Sequence, residues 1–412
     1  MQLVQSFIAS ARLAFLCVLA GAGASTAQAD EALEQAKKLL DRAILFDGHN
    51  DLPWAVREYE TAPGDIVAYD LRGKAPGDGQ TDIPRLREGR LGAQFWSVYI
   101  PPEAPGGFAR TQLEQIDLAR RLLAHYPQAF RLAGTAAEIR AAKQADRIGS
   151  MLGIEGGHAI ENSLGALRAY YDLGVRYMTL THNLHTDWAD SAMDQSPGKG
   201  GLTPFGEDVV REMNRLGMLV DLSHTSPDTM RDALRVSKAP VIFSHSSARE
   251  LCEIPRNVPD DVIAMLPANG GVLMVTFVSG FISQAAADVM LPATLEYMER
   301  AKGKSAEERD AIFEEIQAKM KMPPVTVADV ADHIEHVRKV AGVDHVGIGS
   351  DFDGATDLPE GLTDVSMYPN LFAELIRRGW SDADLGKLAG GNVLRALEQA
   401  ESVARRLQLA DK

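Results

Sequence analysis

From residue 44 onward, short runs of consecutively apolar residues alternate with longer amphipathic stretches. Eight runs stand out: Ile44 to Asp47, Ala93 to Ile100, Ser150 to Ile154, Arg176 to Thr181, Met218 to Leu222, Val241 to Ser244, Val272 to Phe277 and His345 to Gly349. Most are continuously apolar, which is what strands buried on both faces require. Helix starts fall between them. Thr111 with Glu114, Thr135 with Glu138 and Ser305 with Glu308 fit the capping box, and Ser226-Pro227 fits an N-cap followed by proline. Eight strand–helix alternations predict an α/β fold, a single (β/α)8 TIM barrel, with a doubly wound open sheet as the rival. The charge-rich stretch from Leu291 to Lys321 reads as a helical insertion between the seventh and eighth strands. Thr61 to Thr81, rich in Gly, Pro and Asp, reads as one long surface loop. No repeat or linker divides residues 30–412, which are expected to form one domain.

Composition narrows the class. The 412 residues are 45% apolar and 24% charged with two cysteines, a globular profile. Lys plus Arg number 42 against 57 Asp plus Glu, a net charge of −15 without a basic stripe, which argues against a nucleic-acid partner.

The first 29 residues carry one charge, Arg12, then the apolar run Leu13 to Ala20, then small residues ending in Ala27-Gln28-Ala29. That is the layout of a secretory signal peptide, its apolar run well short of the ~20 residues a membrane span needs. Cys17 follows Leu16, where a lipoprotein cleavage site needs a small residue. The expectation is cleavage after Ala29 and a secreted, periplasmic protein without a stable membrane anchor. Cys252 is then the one remaining cysteine, so no internal disulfide is expected. The C-terminal stretch from Glu401 is charged and amphipathic, unlike a hydrophobic anchor signal.

Candidate chemistry gathers where the apolar runs end. The first finishes in Asp47-Gly48-His49-Asn50-Asp51, the third in Glu155, the fifth in Asp221-Leu222-Ser223-His224 and the sixth in Ser244-His245. In a barrel these ends share the face that carries active sites. His49 and Asp51 are two apart, so in extended backbone their side chains point the same way. Three imidazoles and two carboxylates without paired thiols suit Zn²⁺ or a similar borderline metal.

Several blocks then resemble the membrane (renal) dipeptidase family, zinc peptidases of the amidohydrolase superfamily. They are Glu155-Gly156-Gly157-His158 continuing to Leu180-Thr181-His182, Asp82 to Arg87, Gly92 to Trp96, Arg256 to Asp260, and Gly349 to Gly354, within a likeness from about Ala43 to Gln399. The resemblance implies a metal-dependent amidohydrolase barrel holding two Zn²⁺ per chain: His49 and Asp51 on the first, His224 and His245 on the second, Glu155 and a hydroxide bridging both. It further implies that the hydroxide is the nucleophile, that His182 stabilises the oxyanion, that Asp351 carries the proton to the departing amine and that Arg256 pairs with the substrate's terminal carboxylate. A non-ligating supporting role for His182, plain metal ligation by Asp351 and a surface position for Arg256 stay open. The substrates implied are small free dipeptides, L,L and L,D. The lipid anchor and disulfides of the family's eukaryotic members have no signal here, while a homodimer is compatible with the chain.

The alternative activity is an N-acyl amino acid deacylase on the same metals, and a silent binding protein is disfavoured by the complete ligand set. His158 is expected to support ligands, and His185 and His345 have no supporting spacing. His333 and His336 are expected on one solvated helix face. Asp353 and Trp188 either line the pocket or, for Trp188, belong to the core; Cys252 is expected to be a small buried residue. Mass spectrometry of the exported protein should find Asp30 as the mature N-terminus. An intact or acylated N-terminus would overturn the leader assignment.

Overall fold

The computed structural model describes residues 31–102 and 107–410; the leader expected at residues 1–29 lies outside them. Nine parallel strands form one sheet: β1 (Leu45–Asn50), β2 (Leu91–Ser97), β3 (Phe130–Leu132), β4 (Ile148–Glu155), β5 (Val175–Thr179), β6 (Leu219–Asp221), β7 (Val241–Ser246), β8 (Val272–Val275) and β9 (Val346–Ile348). All but β3 close into an eight-stranded barrel, β2 pairing with both β1 and β4, and β9 with both β8 and β1. The expected TIM barrel is therefore the fold, and the open sheet is not.

The small strand β3 was not expected. It pairs with the start of β4, along the edge that β5 takes over from Leu152 onward. Only Phe130 of its three residues is buried, so it lacks the apolar run that marks the barrel strands.

Among the helices around the barrel are α1 (Leu52–Arg57), α2 (Phe108–His125), α3 (Ala136–Gln144), α4 (Pro227–Val236), α5 (Gln284–Ala301), α6 (Ala306–Gln317), α7 (Val327–Ala341) and α8 (Asn392–Ala410). Ser305 and Glu308 make the full capping box of α6, and Ser226 caps α4 with Pro227 behind it. Thr135 caps α3, but the Glu138 carboxylate turns to the Gly134 N–H, one residue earlier than a capping box requires. Thr111 is no cap: α2 begins at Phe108, and the Thr111 hydroxyl donates back to the Gly107 carbonyl inside the first turn. The expected insertion is a helical hairpin, α5 and α6, which starts earlier than Leu291 and lies between β8 and β9, ahead of α7.

Alternation along the strands sorts the core into two layers. Leu45, Leu152, Ile154, Val220, Phe243, Leu273 and Ile348 join the large cluster under the outer helices. Phe46, Phe95, Met151, Tyr177, Ile242 and Met274 form a second cluster, against which α8 packs Val393, Leu397 and Ala400. Gly153 lies between Met151 and Glu155 on β4. A Cβ placed there would stand 2.0 Å from the Tyr177 ring, so this glycine is the space into which Tyr177 fits.

Gly153→Ala should therefore displace Tyr177 and cost about 1–3 kcal/mol of stability, the usual scale for overpacking. Equilibrium denaturation checks this, and an unchanged midpoint would show that the ring has another place to go.

Candidate active site

At the C-terminal rim β1 carries His49, with Asp51 just beyond it, β4 ends in Glu155, the turn after β6 carries His224, and β7 carries His245. All five are at most 6% exposed. Glu155 is the junction between them. Its Oε1 lies 2.9 Å from His224 Nε2 and 3.3 Å from His245 Nε2, while Oε2 lies 3.6 Å from His49 Nε2. His49 Nε2 stands 3.1 Å from Asp51 Oδ2, and the Nε2 atoms of His224 and His245 face each other at 3.0 Å. Two lobes of donors share one carboxylate.

The far nitrogen of each ring is also engaged. The Ser244 hydroxyl gives its proton to Asp221 Oδ2 at 2.6 Å, so it accepts from His245 Nδ1–H at 2.8 Å. His224 Nδ1 donates to Asn183 Oδ1 at 3.1 Å, and His49 Nδ1 meets the Tyr177 hydroxyl at 2.8 Å. Burial pushes His224 and His245 well below the ordinary imidazole range, so both are neutral with the Nε2 lone pair turned inward. Two such lone pairs and a carboxylate oxygen within 3.3 Å of one another, with no proton between them, repel unless a cation sits among them. Asp51 Oδ1 is likewise buried without a hydrogen-bond partner among the described residues. Ligand atoms of His49, Glu155 and His245, of Glu155, His182 and His224, and of His49, Asp51 and Asp351 each lie within 4.8 Å of one another. The residues fit a metal centre with nitrogen and oxygen ligands.

The remaining site residues surround this cluster. His182, beyond β5, places Nε2 3.8 Å from Glu155 Oε1, with its ring 4.3 Å from His224 and 4.9 Å from Tyr99. Burial holds it down to about 4, so it too is neutral. Asp351, beyond β9, has Oδ1 3.9 Å from His49 Nε2. Burial raises its proton affinity well above the carboxylate range against the pull of His49, and the Asp51 and Glu155 charges raise it further. Its position suits a ligand as well as a proton carrier. Arg256 is 3% exposed, not a surface residue: burial brings it down to about 10, still a cation near neutrality. Its Nη2 donates to the His245 carbonyl at 3.4 Å, its guanidinium lies 5.0 Å from the Phe281 ring centre, and its Nη1 has no partner among the described residues. These groups line a cleft of about 400 Å³, Asp353 among them.

Other candidates lie elsewhere. His158 bonds to the Ile100 carbonyl, and Trp188 is core at 1% exposure. His185 accepts from Ser191 N–H, and His345 bonds to the Gly271 carbonyl. His333 overturns the solvated-face expectation: it is 1% exposed, accepts from Ala248 N–H and donates to the Ile282 carbonyl, fastening α7 to the rim. His336 pairs with Asp260 at 2.7 Å. Cys252 is fully buried, its thiol pushed up to about 12 by burial.

Sequence reasoning missed the supports. Asp47 accepts from Ser350 N–H, the Ser350 hydroxyl and the Tyr368 hydroxyl, tying β1 to the turn that bears Asp351. Asp221 accepts from the Thr179 and Ser244 hydroxyls and from Ser244 N–H, tying together the ends of β5, β6 and β7. The available signal was position: Asp47, Asp221 and Ser244 each stand within three residues of a metal-site histidine.

The family model described as membrane dipeptidase, peptidase family M19, matches residues 33–411. The chain belongs to the membrane dipeptidase family. Dipeptidase aclJ of Aspergillus oryzae is 42% identical over 381 residues, 90% of this chain and 81% of that protein. Among solved structures, the probable dipeptidase PvdM from Pseudomonas aeruginosa matches with a TM-score of 0.79 at 24% identity, over 91% of this chain and 100% of that one, a likeness of fold. A metallopeptidase from Rhodobacter sphaeroides, solved with a phosphinate mimic of the dipeptide L-Ala-D-Ala, matches with a TM-score of 0.71 at 26% identity, over 87% and 99%. As a family M19 metallopeptidase the chain is a hydrolase of peptide bonds.

If the Tyr177 hydroxyl orients His49, Tyr177→Phe should weaken metal binding about 10–100-fold, the scale for losing a partner of a ligating histidine. Competition with a chromogenic chelator measures this. Affinity equal to wild type would show that His49 is oriented by other contacts.

Proposed function

We propose that the protein is an exported, periplasmic zinc dipeptidase that hydrolyses free L,L and L,D dipeptides, working as one barrel domain with two ions per chain. The observation that carries the reading is the donor cluster split about Glu155, with a buried, unpaired guanidinium nitrogen of Arg256 in the same cleft. The inclusion of L,D dipeptides draws on the L-Ala-D-Ala mimic bound by the Rhodobacter metallopeptidase.

His49 and Asp51 would hold one zinc, His224 and His245 the other, and Glu155 would touch both. Zinc held by these residues would supply Lewis-acid chemistry, polarising a carbonyl and making a water more acidic. The chain's own residues do the rest. Arg256 grips the terminal carboxylate through its free Nη1, and burial strengthens that ion pair. His182, neutral and an N–H donor, meets the carbonyl oxygen as negative charge builds on it. Asp351, with raised proton affinity, accepts the proton of the attacking water and returns it to the leaving amine.

A dipeptidase must read its substrate's ends, because the peptide bond itself is the same in a longer chain. Arg256→Ala should therefore cost about 2–4 kcal/mol in kcat/KM for a free-acid dipeptide, and Arg256→Lys should recover only part of it. Comparison with the dipeptide amide decides the point: wild type should discriminate strongly between acid and amide, and the alanine variant should lose most of that preference. Equal acid-to-amide ratios in both proteins would remove Arg256 from the role. Equal turnover of an N-acetylated dipeptide would favour a deacylase instead.

A further inference from the structure

The hairpin α5–α6 forms one wall of the catalytic cleft. Its base is fixed on the floor beneath Arg256: Ala287 is buried with Cys252, Ile254, Val278 and Phe281, and Met290 packs on that cluster. The same Phe281 ring lies under the Arg256 guanidinium. The return helix reaches other parts of the rim. Gln317 Nε2 donates to Thr356 Oγ1 at 3.1 Å, in the loop that follows Asp351, and Arg309 and Asp310 act electrostatically on Glu58, just past α1. Helix α1 carries Trp54, which also lines the cleft. The hairpin thus bridges the mouth from the Arg256 side toward the Trp54 side.

Its two faces differ in character. Outward, Arg300 pairs with Glu296 and Glu315, and Lys304 with Glu308, an ordinary solvated surface. Inward, Met290, Ala293, Thr294 and Tyr297 follow one stripe of α5 at helical spacing, and Phe313, Ile316 and Met320 answer from the other arm. The Tyr297 and Phe313 rings meet edge to face at 5.8 Å, setting the distance between the helices. Phe313 remains 43% exposed, an aromatic ring left open at the mouth of a reactive cleft.

The charged and polar ends of a dipeptide are the same whatever its side chains, and the donor cluster and Arg256 serve them. A mostly apolar wall facing those groups can reward only an apolar side chain. We infer that the α5–α6 hairpin is the side-chain subsite of the enzyme, and that its preferred substrates are dipeptides bearing a bulky apolar residue. This rests on the dipeptidase reading above.

The test uses zinc-loaded full-length protein and the panel Gly-Gly, Leu-Gly, Gly-Leu and Leu-Leu, together with calorimetric affinities for phosphinate dipeptide mimics bearing methyl or isobutyl side chains. Wild type should favour at least one leucyl substrate over Gly-Gly by about tenfold or more, and the isobutyl mimic over the methyl one in the same sense. Phe313→Ser and, separately, Met320→Ser should shrink both ratios severalfold, while Phe313→Leu keeps most of them. The thermal midpoint identifies a variant that has lost its fold, and the other then decides. A folded serine variant with undiminished ratios, or a wild type indifferent to side chain, overturns the subsite. A wild type that cleaves none of the four dipeptides overturns the dipeptidase reading instead.

Discussion

One carboxylate organises this active site. Glu155 stands at the end of β4 with its two oxygens turned to different imidazoles, Oε1 to His224 and His245 and Oε2 to His49. His224 and His245 are held neutral with lone pairs inward, so Glu155 Oε1 faces acceptors where a carboxylate needs donors. Asp51 and Asp351 add further negative charge around His49. Burying that much acceptor density is costly unless metal cations offset it, and binding of the cations is then coupled to the stability of the rim.

The layer beneath makes the crowding sustainable. Asp47 and Asp221 are fully buried, and burial raises the proton affinity of each against several hydrogen bonds. Each draws strand ends together, Asp47 toward Ser350 and Tyr368, Asp221 toward Thr179 and Ser244. Through Ser244 the Asp221 carboxylate also reaches His245, and through Gly153 the barrel makes room for the tyrosine that meets His49. The rim carries local strain as well. His224, Asp351 and Asp353 all hold left-handed backbone, with φ of 64°, 70° and 62°, a conformation that costs non-glycine residues of order 1–3 kcal/mol. The barrel below and the donor cluster above over-determine these three positions, which allows the strain to persist.

What the sequence makes legible follows from what burial does to composition. A strand covered on both faces is mostly apolar, so all eight barrel strands are visible as runs, and polar residues at their ends stand out. The three-residue β3 carries no such run, since Arg131 and Leu132 are exposed. Thr111 and Glu114 mimic a helix start because the pattern is silent about the turn already formed at Phe108. His333 shares the spacing of a surface pair with His336, yet its position on α7 places it under the rim, where two backbone groups occupy both ring nitrogens. Periodicity identifies a helix and leaves open what packs on each of its faces. The hairpin has the same property: charges dominate its composition, while the residues facing the cleft are mostly apolar and come from two separate helices.

The cleft thus has two origins: donors carried at strand ends, and a wall supplied by the insertion between β8 and β9. His49, Glu155 and His245 sit on barrel strands that each have a parallel neighbour on both sides, so their places on the rim are tied to the closure of the sheet. Tyr297, Phe313 and Ile316 sit on an insertion between β8 and β9 that contributes no strand to that sheet. Substitutions there change the shape of the wall without touching a strand-borne ligand, whereas a shift at Gly153 moves the Tyr177 ring and with it the hydroxyl that meets His49. Arg256 belongs to the fixed part although it lies on a loop. Its guanidinium bonds to the His245 carbonyl and rests on Phe281, so this buried cation is carried with the strand that bears His245. The distance from Arg256 to the donor cluster is thereby tied to the barrel and not to the insertion, so the two buried polar features of the cleft keep their separation whatever the α5–α6 wall becomes.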